Sequence, residues 1–132
     1  MPDALSGTWV RMLWSTSYVY RWALAIAITL AVETPIVAAL SRTDEPRASR
    51  RLSAAFVANA VSHPALFLGL ASLVAVTGWV LAGGEAAVVV FEALVYRWGL
   101  SLPAGRALGV SLGANLASLA AGAAIHALTG WP

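Results

Sequence analysis

A chain of 132 residues that is 60% hydrophobic and 11% charged, with a mean hydropathy of +0.79, cannot cover itself for water. Soluble domains carry about 25% charged residues, so this chain falls in the membrane class, and its length predicts a single integral membrane domain over residues 1–132. The absence of cysteine excludes disulfides, iron–sulfur clusters and thiolate metal sites within the chain, while a net charge of +2 carried by arginines in short loops reads as a topology signal, not as nucleic-acid binding.

Residues 1–21 gather Trp9, Trp14, Tyr18 and Tyr20 around Arg11 and Arg21. Aromatics interleaved with arginine suit the headgroup region, so a short amphipathic, interfacial segment is predicted here. As a secretory signal it would have residues 22–32 as its apolar core, but no clear small-residue cleavage site precedes Glu33.

The first span is predicted at residues 22–40, WALAIAITLAVETPIVAAL, close to the ~20 residues needed to cross a bilayer. Glu33-Thr34-Pro35 interrupts it. Proline removes one backbone hydrogen bond, so a kink is expected just after Glu33. An acid inside a span is a functional candidate by default; the structural alternative is a neutral carboxyl capping a local break.

Residues 41–51, SRTDEPRASRR, form the one strongly charged run and read as a solvated loop. With four spans, Arg42, Arg47, Arg50 and Arg51 share a side with Arg97 and Arg106, and Arg11 and Arg21 lie opposite. That six-to-two bias predicts cytoplasmic loops with both termini outside, as in a bacterial inner (plasma) membrane.

Residues 52–82 would measure roughly 46 Å as one helix, longer than a ~30 Å hydrocarbon core. His63-Pro64 offers a break, because the residue before proline avoids helical geometry. An amphipathic lead-in helix at 52–62 and a span at about 64–82 are therefore expected. Asn59 and His63, four apart, share a face if the helix continues. A single histidine before proline serves as a structural hydrogen-bonding group or, among apolar acids, as a ligand or proton relay.

Gly83-Gly84 reads as a tight outer turn, followed by a third span at about residues 85–101. Its acids Glu85 and Glu92 lie seven residues apart, on one face, and Tyr96 extends that face. Glu85 has a simpler reading as a first-turn acid at the positive end of its helix; Glu92 is deeper.

Pro103 starts the last helix, with a span predicted at about 107–128. Gly105, Gly109, Gly113, Ala117 and Ala121 recur every four residues, a stripe of small residues that permits close helix approach. Ser111, Asn115 and Ser118 occupy an adjacent face from which Glu92 or Glu33 can be reached. His126 reads as interfacial.

The polar elements ETP, NAVSHP, EAAVVVFE followed by ALVY, and NLAS, between residues 30 and 122, resemble a group of small uncharacterised bacterial four-helix membrane proteins. The group shares an ETP, N-x-x-S/T-H-P, E-x-x-V-x-x-x-E-x-x-x-Y and N-x-x-S pattern. The resemblance implies the four-span fold and carries no activity.

The sequence thus predicts an all-α, polytopic membrane protein of four transmembrane helices. Its partners are the lipid bilayer and further copies of itself. Glu33, Asn59, His63, Glu85, Glu92, Tyr96, Asn115 and Ser118 are the candidate polar cluster for binding or proton relay. Glu33, His63 and Glu92 are the candidate ligands for a divalent metal ion. The first functional reading is transport of protons, a cation or a small solute through a homo-oligomer, because four helices rarely enclose a pore alone. The second is an intramembrane metal-dependent enzyme, since two carboxylates and a histidine match an open catalytic metal site, although no H-E-x-x-H motif accompanies them. A serine hydrolase is disfavoured by the absence of a G-x-S-x-G elbow. The third reading is an assembly subunit whose polar residues serve packing.

Overall fold

The computed structural model describes residues 16–71 and 77–130. These residues form four α-helices and no strand: α1 Thr16–Leu40, α2 Ala48–Ala71, α3 Gly78–Gly99 and α4 Ala104–Thr129. Each contains a stretch long and apolar enough to cross a membrane. Short connections make consecutive helices antiparallel neighbours, and α4 closes the ring against α1.

The expected break at His63-Pro64 is absent. Pro64 lies inside α2, which runs unbroken from the charged loop to Ala71. The separate helix at 52–62 and the span at 64–82 are therefore one helix starting and ending earlier. Pro35 likewise lies inside α1. Each proline forgoes one backbone bond, to the carbonyls of Ala60 and Ala31, while packing along the rest of the helix maintains it.

Gly83-Gly84 is not a turn: both glycines lie within α3. Gly84 serves close approach instead, since a Cβ built there would come within 2.5 Å of Leu66 Cδ1 on α2. The third span consequently begins at Gly78, where the Thr77 side chain accepts the Val80 N–H at 3.3 Å and caps the helix. Glu85 is thus two turns inside α3 and not in its first turn. At the other end of the chain, α1 begins before the expected residue 22; the interfacial segment predicted for residues 1–21 lies outside the described residues up to residue 15.

The packed core occupies the half of the bundle nearest residues 41–47 and 100–103. It is built from Val37, Ala54, Ala55, Ala58, Ala93, Tyr96, Leu100, Leu102, Ala107, Val110 and Ala114. Alanine dominates because small side chains let membrane helices approach closely where no water drives them together. The loop is tied down by Ser41, whose Oγ donates to Val37 O at 2.6 Å, and by Arg106 of α4, which donates to Leu40 O at 2.6 Å and to Asp44 at 3.3 Å. Outward faces carry many large apolar side chains, aliphatic for the most part. Trp79 and Trp98, exposed near the two ends of α3, are 19 residues and so about 28 Å apart, the separation of two interfacial aromatic belts.

Candidate functional site

The alanine core ends at a polar layer. Glu33 of α1, Asn59 and Ser62 of α2, Glu92 of α3 and Ser111 of α4 are all buried. Each arrives there by helical spacing. Asn59, Ser62 and His63 fall at i, i+3 and i+4 on α2, a relation that survives because Pro64 does not break the helix. On α4, Ser111, Asn115 and Ser118 recur at the same spacing and face the acids of α1 and α3.

Glu92 organises the layer. Its Oε1 accepts from Ser62 Oγ at 3.0 Å, and its Oε2 accepts from Ser111 Oγ at 3.2 Å and Asn115 Nδ2 at 2.6 Å. Ser111 also lies 3.0 Å from Val89 O, and Asn115 Nδ2 lies 3.0 Å from Ser111 O. Glu33 accepts through Oε1 from Ser118 Oγ, and the Asn59 side chain also faces it. One network therefore links α2, α3 and α4 through Glu92, and Glu33 joins α1 to α4.

Between these bonds lies a set of unanswered atoms. Among the described residues, Glu33 Oε2, His63 Nε2, Asn59 Oδ1 and Tyr96 Oη are buried without a hydrogen-bond partner. Glu33, His63 and Glu92 each offer a ligand atom, and these three atoms lie within 4.8 Å of one another. An ion bonded at about 2.1 Å holds its ligand atoms roughly 3 to 4 Å apart, so small side-chain movements close the group on a metal. Two carboxylates this close in an apolar interior repel each other and call for positive charge between them, as a proton or a metal ion. The donor set, two carboxylates and one imidazole, suits zinc, manganese or iron(II) over soft copper(I).

Other sequence candidates fall elsewhere. Glu85 is exposed; it shares the face of Glu92, but two turns away, beyond the reach of the hydrogen-bonded layer. Tyr96 is the exception: it is fully buried and its Oη belongs with the unanswered atoms of the layer. In the small-residue stripe, a Cβ added at Gly105 or Gly109 would meet nothing within 4 Å, and one at Gly113 would touch Leu40 Cδ1 at 3.5 Å. Ala117 and Ala121 are half-buried, and His126 is exposed. Ser62 joins the layer as a partner of Glu92 beyond the residues expected from the sequence; its position three residues after Asn59 and one before His63 is the signal that marks it.

Beside the layer, α2 and α3 diverge into a groove of about 480 Å³. Val61, Ala65, Leu66, Val88 and Phe91 line it, and Ser62 supplies the polar point of its wall. No family model matches the chain, and neither the curated proteins nor the solved structures contain a match to it.

Proposed function

We propose that this integral membrane protein is a cation handler. Glu33, His63 and Glu92 bind a divalent metal ion, and the protein moves that ion, or protons exchanged at the same carboxylates, across the membrane as a homo-oligomer. The observation carrying this reading is the meeting of three ligand atoms from three helices within 4.8 Å, with no arginine or lysine among the described residues bonded to either acid. Asn59 Oδ1 and Tyr96 Oη, both buried without partners, supply further oxygen donors. The glycine face at Gly105 and Gly109 is open for a second copy.

The test is metal analysis of the purified protein after dialysis against zinc, manganese or iron(II), followed by flux in proteoliposomes. About one ion per chain, lost in Glu33→Gln and Glu92→Gln, is expected, together with cation or proton flux above that of empty vesicles. Absence of binding and of flux would return the polar layer to a packing role.

A specific feature favours a second reading, an intramembrane metal-dependent enzyme. The groove between α2 and α3 is apolar and reaches Ser62, whose hydroxyl contacts Glu92. A membrane-resident substrate would reach the centre sideways by that route. Metal binding without flux, combined with turnover of an amphiphile, selects it.

A further inference from the structure

Arg51 holds a charge that the described protein does not answer. Its residue is only 8% exposed, and its Nε and Nη1 are buried without an acceptor. A buried guanidinium lacking a counter-charge is costly, because desolvation is not repaid by hydrogen bonds.

Its surroundings add to that cost. Arg51 is the fourth residue of α2, whose first turn contains no acidic residue. The positive end of the helix dipole therefore works against the charge. The acids of the adjoining loop are engaged elsewhere. Glu45 accepts the Arg47 N–H through Oε1 and Arg50 Nη1 through Oε2, both at 2.9 Å. Asp44 Oδ2 accepts from Thr43 and Arg106. The same end of the bundle includes the close of α3, where Gly99 lies beside Ala54 of α2. Arg42, Arg47, Arg50, Arg51, Arg97 and Arg106 face only Asp44 and Glu45 there, so six charges less two leave an excess of four positive charges.

We infer that Arg51 is the inner wall of an oxyanion site at the loop end of the bundle, which takes a phosphate group. A guanidinium presents fixed, planar N–H donors that match phosphate oxygens. The site lies where a transmembrane helix meets the charged loop, the level at which basic pockets between helices hold anionic headgroups. Phosphate of an anionic phospholipid and inorganic phosphate share this chemistry. The site is separate from the Glu33–His63–Glu92 centre, and the inference stands whether or not that centre binds a metal.

The test uses the full chain in nanodiscs. One set contains phosphatidylcholine alone, and a second contains equal phosphatidylcholine and phosphatidylglycerol. Lipids retained after gentle extraction are counted by native mass spectrometry, and thermal unfolding is followed with and without inorganic phosphate. Retention of phosphatidylglycerol over phosphatidylcholine by about fivefold, roughly the worth of one basic residue at an anionic surface, is expected. That preference should vanish in Arg51→Gln and persist in Arg42→Gln, which alters an exposed arginine of the same loop. Stabilisation by inorganic phosphate in the phosphatidylcholine discs, without any lipid preference, would identify free phosphate as the ligand. Should Arg51→Gln not fold, Arg51→Lys is read in its place: it keeps the charge but not the planar donor fork, so the preference should fall, and an undiminished one overturns the site. Equal retention of both lipids together with indifference to phosphate overturns the site. So does an Arg51→Gln protein that keeps the wild-type preference.

Discussion

Glu92 shows how one buried side chain can be both a keystone of packing and a candidate ligand. Three donors converge on its two oxygens. In Glu92→Gln, the amide nitrogen can face Ser62, whose hydroxyl can turn to accept, while the remaining oxygen keeps Ser111 and Asn115. That variant is expected to melt close to wild type and to lose cation binding by tenfold or more, since a neutral amide is a far weaker ligand. Glu92→Leu removes every acceptor at once. Ser111 and Asn115 retain backbone oxygens within reach, so the main cost falls on Ser62 and amounts to roughly 1–3 kcal/mol. Thermal unfolding in detergent and titration with zinc or manganese measure both quantities; an unchanged affinity in Glu92→Gln takes this carboxylate out of the centre. The acids themselves were legible in the sequence because a carboxylate in an apolar run has few cheap places to go. Ser62 and Arg51 were less so. Serine hides easily in a helix by bonding its own backbone, and an arginine in a charged run gives no sign of being buried.

At the scale of single elements, the α4 stripe and the 41–47 loop make different demands. Gly105 and Gly109 meet no neighbour within the bundle, so α1 and α3 do not use them for close approach. Gly109→Leu is expected to leave the thermal midpoint of the single chain nearly unchanged and to reduce the oligomer size measured by crosslinking or light scattering. Unaltered assembly would mean that this face meets lipid. In the loop, the Glu45 carboxyl is held below its usual range, first by accepting the Arg47 N–H and then by the charge and bond of Arg50. A folded value below the unfolded one makes its contribution complete above the ordinary carboxylate range near pH 4 and erases it as the pH falls through the lowered value. The melting difference between wild type and Glu45→Gln should therefore be present at about pH 6 and shrink as the pH falls below the ordinary carboxylate range. A constant difference would contradict this ion-pair account. Element boundaries were the least legible part of the fold. Proline and glycine usually punctuate helices in water, but in a bilayer an interrupted helix exposes backbone groups that nothing can solvate. Continuity therefore overrode both the His63-Pro64 and the Gly83-Gly84 signals.

For the whole molecule, the four-helix architecture followed from composition and apolar run length alone, because a bilayer leaves a chain of this kind few alternatives. Orientation rests on the arginine bias. As the chain has no cysteine, single cysteines placed at Ser49 and Ala127, both exposed, report it cleanly. Labelling of the first from the cytoplasm only, and of the second from outside only, is expected; the reverse pattern would invert the protein. A last consequence concerns length. Trp79 and Trp98 ask for a hydrocarbon layer of about 28 Å, and in α4 the polar residues Arg106 and His126 lie about 30 Å apart along the helix. The two helices pack against each other, so a bilayer much thinner or thicker than this is mismatched to both at once. Mismatch becomes a mechanical load on the ring of helices, and the ligand atoms ride on three of its members. Bilayers built from shorter or longer acyl chains should therefore shift cation affinity as well as melting temperature, making membrane thickness a control on the chemistry at its centre.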